Sequence, residues 1–502
     1  MRFCVIRIRN PAFLFAFLAQ LAGCMVGPDF CQPVSELRSN WSQGYDPRIN
    51  SQAVDVQDWW TQFNDPILNQ LIVETATANL TLREAAERIL EARARRDVAI
   101  GGLFPQSQTA DGHYSKSLLS RNDANFFTFP GIFNANIRPQ NWNLGLNAAW
   151  ELDFWGRYRR AIESADASLD ASIAAYDETR LLLLAEVGVT YIEMRTLEAR
   201  ANIAWQMAEI QGRTRLMAEQ KLAAGLGSAI DTAQAEVSLR QTEAILPELE
   251  IARRQACHRL CVLQGKPPAD LAAGLGCSGM IPQTPAMISV GLPADLLRQR
   301  PDIRRAERNL AAQSARIGIA EAEFLPHISL TGNIGVSSQQ IGNLFSPSSQ
   351  VGLIAPGFSW NLLNYARISN NVKAEEAVFR QLCAAYQSAV LKASQEAEDA
   401  MVSYTLGFEQ LRALQQSAEA SMVAVTKSSD LYQAGAIDFG RVYVLQTEAL
   451  RQRDALASAQ GAIAMSLVNV FKSLGGGWAV PETCFSSCPA FADSVGFGHS
   501  LQ

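Results

Sequence analysis

A stretch with strand periodicity runs directly into a very long stretch with helix periodicity, and this order restricts the possible folds. From Asn141 to Leu152 apolar and polar side chains alternate, with Trp142 and Trp150 in the apolar set. Alternation places the two sets on opposite faces of a strand, long enough here for a tilted membrane-spanning strand. The 67 residues from 156 to 222 contain no proline and would form a helix of about 100 Å. An isolated run of this kind is also typical of a sandwich strand, but the long helix beside it favours the membrane strand.

The same layout occurs a second time at an offset of 210 residues. Trp150 corresponds to Trp360, and Arg157 corresponds to Arg367. Each copy continues into a proline-free segment, a turn that contains glycine and a returning segment with helical character. The second long segment is Leu363–Ala434, the turns are Ala224–Ser228 and Gln433–Ala436, and the returning helices are Ala229–Leu263 and Phe439–Leu474. Self-similarity of this kind indicates an internally duplicated fold.

Each copy contains two candidate strands, which makes four in the chain. They are Gln106–Ser115, Asn141–Leu152, Ile328–Ser337 and Ile354–Leu362. Four strands cannot close a barrel, and open sheet edges are not tolerated in lipid. Three copies of the chain would supply twelve strands, an even number within the known range. We therefore predict an internally duplicated α+β membrane protein whose four strands join those of other copies, with twelve strands in a trimer.

The first 23 residues have the features of an export signal. Arg2, Arg7 and Arg9 precede an apolar stretch from Ala12 to Ala22, which is too short to span a bilayer. The stretch ends in Leu-Ala-Gly before Cys24, a tetrad that resembles a bacterial lipoprotein signal. We predict that Cys24 carries an N-acyl chain and an S-diacylglycerol group, with Met25 in place of an aspartate directing the protein to the outer membrane. The alternative is an ordinary cleavage site followed by an incidental cysteine.

The chain order predicts six segments. Asp65 and Pro66 suit the N-cap and first residue of a helix, and they mark the start of the first repeat. The segments are a signal peptide (1–23), an acylated extended segment (24–65), the first repeat (66–263), a linker (264–292), the second repeat (293–475) and a tail (476–502). Within the first repeat, the span from Leu118 to Gln140 is predicted as a loop between two strands.

Composition and motif searches favour a protein without catalytic chemistry. The net charge is −6 and 18% of residues are charged, which gives no basic footprint for nucleic acid. The four histidines are scattered, and no phosphate-binding or dinucleotide-binding loop occurs. We expect no enzyme activity, no metal and no cofactor apart from the lipid on Cys24. Of the nine cysteines, removal of Cys4 and acylation of Cys24 leave seven; an odd number excludes a closed disulfide framework, while a Cys484–Cys488 pair remains open.

Several motifs in a fixed order resemble one family. They are Val-Gly-Pro-Asp-Phe after Cys24, WELDFWGRYRRAIESA from Trp150, LLRQRPDIRRAE at Leu296–Glu307 and FLPHISLTG from Phe324. Together they resemble the outer-membrane efflux proteins, the TolC-like outer-membrane factors, in the lipoprotein branch that serves multidrug pumps. The resemblance extends from Cys24 to Trp478. It implies a homotrimer: an internally duplicated, trimeric 12-stranded outer-membrane β-barrel, with four strands per chain, that continues into a long periplasmic α-helical barrel. In such a system the channel contacts a periplasmic adaptor and an inner-membrane transporter.

The resemblance also implies that the two glycine turns are the periplasmic tips, where the tunnel narrows. In the family, acidic residues after the second tip line this constriction, whereas here Gln446 stands where an aspartate is common and Arg441 stands where an acid occurs. The remaining tip candidates are Asp438 after the second turn and Asp231 and Glu236 after the first. A charge that favours a helix N-terminus, or an N-cap role for Asp438, explains these acids equally well.

The leading functional hypothesis is a passive exit duct for drugs or other small molecules, driven by an inner-membrane transporter through a periplasmic adaptor. A rival within the same family is the outer-membrane channel of a one-step protein secretion system. A structural coiled-coil lipoprotein of the envelope is a third option, but the alternating strand at Trp142–Leu152 argues against it.

Overall fold

A computed structural model describes residues 25–34, 38, 40–50, 52, 57–118, 140–269, 280–291, 293 and 299–477. The predictions on the signal peptide, on acylated Cys24 and on the tail residues after 477 lie outside the described residues. The same holds for the loop residues 119–139, for the middle of the predicted linker and for the Cys484–Cys488 pair.

The described elements follow the predicted order of helix, two strands, long helix and returning helix, twice over. The helices with described bounds are α1 (Pro66–Ala78), α2 (Leu80–Gly101), α3 (Arg157–Ala223), α4 (Ala229–Leu263), α5 (Pro301–Ala322), α6 (Arg367–Gln433) and α7 (Phe439–Ser473). The strands are β1 (Ile49–Asn50), β2 (Ser107–Lys116), β3 (Gln140–Leu152), β4 (Ile288–Ser289), β5 (His327–Ser338) and β6 (Gln350–Ser359).

The two copies have helices of equal length. Helices α3 and α6 each contain 67 residues, and α4 and α7 each contain 35. Helices α6 and α7 each begin 210 residues after α3 and α4. The predicted internal duplication is therefore confirmed, and no insertion has occurred within either helix pair.

The chain divides into two compact units. The strand unit consists of the described residues within Met1–Pro33, Ile89–Ala171 and Ala306–Ala385. The helix unit consists of those within Val34–Arg88, Ser172–Arg305 and Tyr386–Gln502.

The strand unit contains one four-stranded antiparallel sheet in the order β2-β3-β5-β6. Strands β2 and β6 are its edges, so each has one side without a partner strand in the described chain. This is the sheet that the four alternating runs predicted.

Two boundaries differ from the predictions. Strand β6 ends at Ser359 and α6 begins at Arg367, whereas alternation suggested a strand to Leu362 and a helix from Leu363. Between them Tyr365 and Ala366 have φ angles of 48° and 63°, which a right-handed helix does not allow. In the first repeat, Asn79 separates α1 from α2 because its side-chain oxygen accepts a hydrogen bond from the Leu82 N–H, as at a helix N-cap.

The helix unit has an aromatic core close to the N-terminus of the first repeat. Trp59 stacks on Phe471 of α7 at 6.1 Å between ring centroids and meets Phe63 edge to face. Asp65 caps α1, as predicted, by accepting hydrogen bonds from the Ile67 and Leu68 N–H groups. Among the described residues, α7 is long and apolar enough to cross a bilayer, but half of its most apolar stretch is buried. Its apolar residues thus serve helix packing.

The Arg-Pro-Asp sequence at the start of α5 connects that helix to α6 and α7. Arg300 is 7% exposed and donates a hydrogen bond of 2.8 Å to the Ser473 carbonyl at the end of α7. It also forms ion pairs with Asp302 at 2.8 Å and with Glu396 of α6 at 2.9 Å. A buried guanidinium needs such partners to offset its desolvation, so this motif holds the second repeat to its own returning helix.

Candidate functional site

The strand register gathers the apolar side chains onto one face of the sheet. Trp150 lies opposite Leu330, Leu146 opposite Ile334, and Ile354 opposite Gly332. Because cross-strand partners point to the same side, one face carries the following residues: Tyr114, Trp142, Leu144, Leu146, Trp150, Leu152, Ile328, Leu330, Ile334, Val336, Ile354 and Phe358. Its central side chains are open, with Leu146 59%, Ile334 67% and Ile354 78% exposed. A contiguous exposed apolar face is typical of a surface that contacts lipid.

Aromatic rings lie near both ends of this apolar face. At one end Tyr114 packs against Trp142, with 4.4 Å between ring centroids. Toward the other end the Trp150 indole donates a hydrogen bond of 2.9 Å to the Leu103 carbonyl, and Phe358 lies on the same face. The two tryptophans are eight positions apart, which corresponds to about 26 Å along the strand. At a tilt of about 40° this distance spans about 20 Å of height, most of the apolar band of about 25 Å of a membrane barrel.

The opposite face of the sheet is mostly polar, although Val351 and Leu353 of β6 also lie on it. It carries the asparagines of β3, and Asn147 donates a hydrogen bond to the Asp111 carboxylate of β2. Asn141 accepts one of 3.1 Å from the Ser337 hydroxyl. One apolar and one polar face are the pattern of a strand with lipid on one side and water on the other.

The two glycine turns of the helix unit have the same backbone hydrogen bonds. In the first, the Leu226 N–H donates to the Lys221 carbonyl at 2.8 Å; in the second, the Ala436 N–H donates to Leu431 at 2.9 Å. Gly225 and Gly435 have φ angles of 72° and 75°. These are Schellman motifs, in which glycine takes the left-handed conformation that ends a helix.

Both returning helices begin with a side-chain cap. The Ser228 side chain accepts a hydrogen bond of 3.1 Å from the Ile230 N–H at the start of α4. Asp438 accepts one of 2.9 Å from the Arg441 N–H at the start of α7. Two of the candidate tip residues therefore meet through an N-cap, with Asp438 as acceptor and Arg441 donating through its backbone while its side chain is exposed.

Tyr432 connects the two turns. Its phenol donates a hydrogen bond of 3.4 Å to Asp231 in the first turn of α4, and its ring lies edge to face with Phe439 of α7. The Lys221 ammonium lies 4.3 Å from the centre of that ring and donates to the Tyr432 carbonyl. Burial and the neighbouring Asp231 carboxylate raise the pKa of the Tyr432 phenol, so the phenol retains its proton as the donor at neutral pH.

The remaining two tip candidates, Glu236 and Gln446, do not contact the opposite turn in the described residues. Glu236 forms ion pairs with Arg215 at 2.9 Å and Arg240 at 2.7 Å, and the hydrogen bond from Arg215 lowers the pKa of its carboxyl. Gln446 is fully buried, and its amide nitrogen donates to the Thr214 hydroxyl at 2.9 Å. Of the five tip candidates, Asp231 alone contacts the opposite turn through a side chain in the described contacts.

Sequence reasoning missed Tyr432, Lys221 and Thr214. Lys221 and Tyr432 lie in the last turn of α3 and α6, just before the glycines. Aligning the two turns on Gly225 and Gly435 would have drawn attention to this region, but it does not indicate that the side chains meet.

Within the part of the chain that the structure describes, no group of three or more His, Cys, Asp or Glu side chains could hold a metal ion. The candidate functional surfaces are therefore the apolar face of the sheet, its polar face and the two helix turns that Tyr432 connects. They are suited to crossing a bilayer and to contacts at the helix ends.

The family described as outer membrane efflux protein matches residues 71–266 and 292–476. One relative, Nodulation protein T of Rhizobium leguminosarum bv. viciae, is 30% identical over 467 residues, covering 92% of this chain and 92% of the relative. The toluene efflux pump outer membrane protein TtgF of Pseudomonas putida is 27% identical, covering 92% and 96%. The cation efflux system protein CusC of Escherichia coli is 27% identical, covering 93% and 99%.

Solved structures agree with this assignment. The outer-membrane channel OprN superposes with a TM-score of 0.84 at 31% identity, covering 91% of this chain and all of the OprN chain. The open state of the Neisseria gonorrhoeae outer-membrane channel MtrE superposes with a TM-score of 0.76 at 26% identity, covering 91% and 99%. The family matches once in each repeat, so the chain belongs to the outer membrane efflux protein family and is an outer-membrane channel protein of an efflux system.

Proposed function

We propose that three copies of this chain form one closed channel through which small molecules leave the cell passively. The observation that carries the proposal is the four-stranded sheet with two unpaired edges, β2 and β6, and one apolar face. Unpaired edge groups are costly in lipid, and pairing β2 of one copy with β6 of the next removes every edge. Three copies then give twelve strands, with the polar face lining the pore.

The two repeats contribute equally to the channel in this proposal. Residues 66–263 and 293–475 each supply two strands and one helix pair, and the linker 264–292 joins them. Helices α3 and α6 would each span about 100 Å, enough to reach far into the periplasm. We therefore propose that six helix pairs, two from each chain, form the wall of the periplasmic tunnel.

The glycine turns are proposed as the ends of the tunnel that meet the partners. A periplasmic adaptor would dock at these turns, and an inner-membrane transporter would supply the energy. The hydrogen bond between Tyr432 and Asp231 joins the two turns, so breaking it is a step by which docking would open the tunnel. Asp438, Arg441, Glu236 and Gln446 support the turns through the cap, the ion pairs and the buried amide described above.

Cys24 is proposed as the lipid anchor. Its thiol would displace the phosphate headgroup of a phospholipid and form a thioether to the diacylglyceryl group, releasing that headgroup. Water would then cleave the Gly23–Cys24 peptide bond, and the new amino group would take an acyl chain from the ester of a second phospholipid as an amide, releasing a lysophospholipid. Such chains add about 0.8 kcal/mol of membrane affinity per buried CH₂ group. Apart from this lipid we propose no cofactor and no catalysis by the channel.

The carried substance is proposed to be a small molecule. One relative is named for the efflux of toluene and another for the efflux of cations. Because both relatives are similar in sequence to this chain, the difference between their substrates supports the proposal that the inner-membrane transporter selects the substrate. Export of a protein is the competing outcome of the test.

The test is accumulation of a fluorescent dye in host cells with and without the gene. We expect the dye to accumulate in the deletion strain and to fall when the gene is restored. A matched variant with Leu146→Asp on the apolar face should fail to restore efflux, because a charge in the lipid face is costly. Unchanged dye levels together with loss of a secreted protein from the medium would instead support protein export. An unchanged gel position on heating would contradict the closed barrel.

A further inference from the structure

A pocket of about 330 Å³ lies between α5 and the first turns of α6, within the strand unit. Two arginines line it: Arg316 of α5 and Arg367, the first residue of α6. Neither of their side chains has a hydrogen bond or an ion pair to another described residue. The other lining residues are Ile319, Ala320, Glu323, Ile368, Asn371 and Glu375. We name this space the arginine pocket.

Arg367 lacks the acidic partners of its counterpart in the first repeat. That counterpart is Arg157, 210 residues earlier, which forms ion pairs with Glu151 at 3.3 Å and with Glu323 at 3.2 Å. At the position that corresponds to Glu151, the second repeat has Asn361. An amide does not neutralise a guanidinium, so the charge of Arg367 is left without the carboxylate that balances Arg157.

Arg316 differs from its counterpart in the same way. Helices α2 and α5 each contain 22 residues and begin 221 positions apart, which makes Arg95 the counterpart of Arg316. Arg95 forms an ion pair of 2.5 Å with Glu91, one turn earlier in α2. In α5 the residue one turn before Arg316 is Ala312. The second repeat has therefore kept both arginines and lost a carboxylate beside each.

The N-terminus of α6 also lacks an acid that α3 has. Asp153 caps α3, because its carboxylate accepts hydrogen bonds of 3.0 Å from the N–H groups of Tyr158 and Arg159. The equivalent residue before α6 is Leu363, so no such carboxylate caps the N–H of Ile368, which lines the pocket. Free N–H groups and the helix dipole attract an anion to a helix N-terminus. The uncapped end of α6 thus adds to the field of the two arginines.

The pocket lining is more polar than the same region of the first repeat. Asn371 and Glu375 stand where the first repeat has Ala161 and Ala165. Glu375 accepts a hydrogen bond from the Gln313 amide, and within the described residues it has no cationic partner. Its negative charge opposes a bound anion, so the pocket should bind an anion weakly and release it readily.

The pocket adjoins the polar face of the sheet. Glu323, in its lining, lies 3.2 Å from Arg157 and 3.8 Å from His327, and His327 contacts Glu151 at 2.8 Å. Glu151 and His327 alternate with the apolar residues of β3 and β5 and so belong to the polar face. In the proposed channel this face lines the pore, and lipid contacts the opposite face.

We propose that the arginine pocket binds the phosphate or carboxylate group of a small molecule that passes through the pore. The inference rests on the proposed function for the place of the pocket in the pore wall. Guanidinium groups donate paired hydrogen bonds to the oxygens of such a group, and the ligand supplies the negative charge that the second repeat has lost. A lipid headgroup offers the same phosphate, but the position beside the polar face favours a soluble molecule.

The experiment is a calorimetric titration of inorganic phosphate, and separately of succinate, into the full-length protein in detergent. Arg316→Gln and Arg367→Gln each remove one cation. Asn361→Glu leaves both arginines in place and gives Arg367 the carboxylate that Arg157 has, while Glu375→Gln removes the opposing charge. The matched control is Arg380→Gln, which removes one positive charge from an exposed position of α6 about 20 Å further along the helix.

Two further readouts separate the sources of the anion and the role of the pore. The lipid phosphorus that remains with each purified variant reports a bound headgroup. In planar bilayers, the phosphate concentration that halves the current through the channel reports binding within the pore.

We expect the unaltered protein to bind phosphate or succinate. Arg316→Gln, Arg367→Gln and Asn361→Glu should bind about tenfold more weakly, which corresponds to the loss of one hydrogen bond to a charged group. Glu375→Gln should bind more tightly, and Arg380→Gln should equal the unaltered protein. The concentration that halves the current should change in the same order, with equal lipid phosphorus in all variants.

Three results would contradict the proposal at different points. If neither anion binds the unaltered protein, or if all variants bind equally, the arginine pocket is not an anion site. Loss of lipid phosphorus from the two arginine variants, without binding of free phosphate, would identify a lipid headgroup as the ligand instead. The expected order of affinities in detergent without any current in bilayers would support the anion site and overturn the proposed channel.

Discussion

The amide nitrogen of Gln446 donates a hydrogen bond of 2.9 Å to the hydroxyl of Thr214, and both side chains are buried. This bond joins the returning helix of the second repeat to the long helix of the first. The Gln446 carbonyl oxygen is itself buried without a partner in the described residues. The residue that replaces an acid of the family pattern thus has a packing role in this chain.

Thr214→Val should destabilise the protein by about 1–3 kcal/mol, because it leaves the buried Gln446 amide without an acceptor. Gln446→Leu should be close to neutral, since it removes an unsatisfied oxygen and the Thr214 hydroxyl keeps its bond of 2.9 Å to the Ile210 carbonyl. The double variant should recover most of the loss. The temperature at which the folded form disappears on gels measures all three, and additive effects would contradict a direct coupling.

Tyr432→Phe should make the tunnel easier to open. It removes the hydrogen bond to Asp231 while keeping the ring that packs against Phe439. We expect a larger single-channel conductance in planar bilayers and greater sensitivity of cells to large antibiotics. Tyr365→Phe, at an exposed position in the strand unit, is the control and should leave both unchanged. Equal conductance of Tyr432→Phe and wild type would argue against this bond as a closing contact.

Gly461→Ala should destabilise the helix unit by about 1–3 kcal/mol, an overpacking effect. A Cβ on Gly461 of α7 would lie 2.1 Å from the Thr196 hydroxyl oxygen of α3. Thr196→Ala in the same chain should restore part of the loss, because it removes the clashing atoms. Gly212→Ala is the control: nothing lies within 4 Å of its added Cβ, and alanine favours a helix. Thermal unfolding followed by circular dichroism measures the set; a Gly461→Ala melt equal to that of Gly212→Ala would contradict the close contact.

Asp177 should make the helix unit less stable as pH rises toward neutrality. Burial raises the pKa of its carboxyl to about 6, against a smaller opposing effect of Arg304 at 3.4 Å. The folded state therefore holds a proton that the unfolded state has lost, and stability falls between about pH 4 and pH 6 and is level above. A shift of this size corresponds to about 3 kcal/mol. Asp177→Asn should flatten that slope in melting experiments across this range, whereas Asp170→Asn, at an exposed position of α3, should retain it.

The repeating parts of the fold could be predicted because they depend on local periodicity. The alternating run before Leu152 and the proline-free stretch after Gly156 fix a strand and a helix without knowledge of distant residues. The same is true of Gly225 and Gly435, since ending a helix is a property of a few consecutive residues.

The contacts at the candidate site could not be predicted, because they join residues far apart in sequence. Tyr432 and Asp231 are separated by 201 positions, and Gln446 and Thr214 by 232. The motif after Cys24 and the motif around Trp155 each supported the family resemblance. The Val26 N–H of the first donates a hydrogen bond to the Trp155 carbonyl of the second, and no rule of residue spacing predicts that contact. Likewise, the break at Tyr365 depends on two positive φ angles that neither residue type prefers.

The unpaired edges of β2 and β6 make the barrel subject to mass action. If three chains close it, the stability of the assembled state depends on the concentration of free chains, and dilution favours dissociation. An anchor that confines every copy to a thin layer at one membrane raises the local concentration without any added contact, much as a linker does for two binding modules. Expression level and membrane area, as much as side-chain packing, would then decide what fraction of the chains forms open pores.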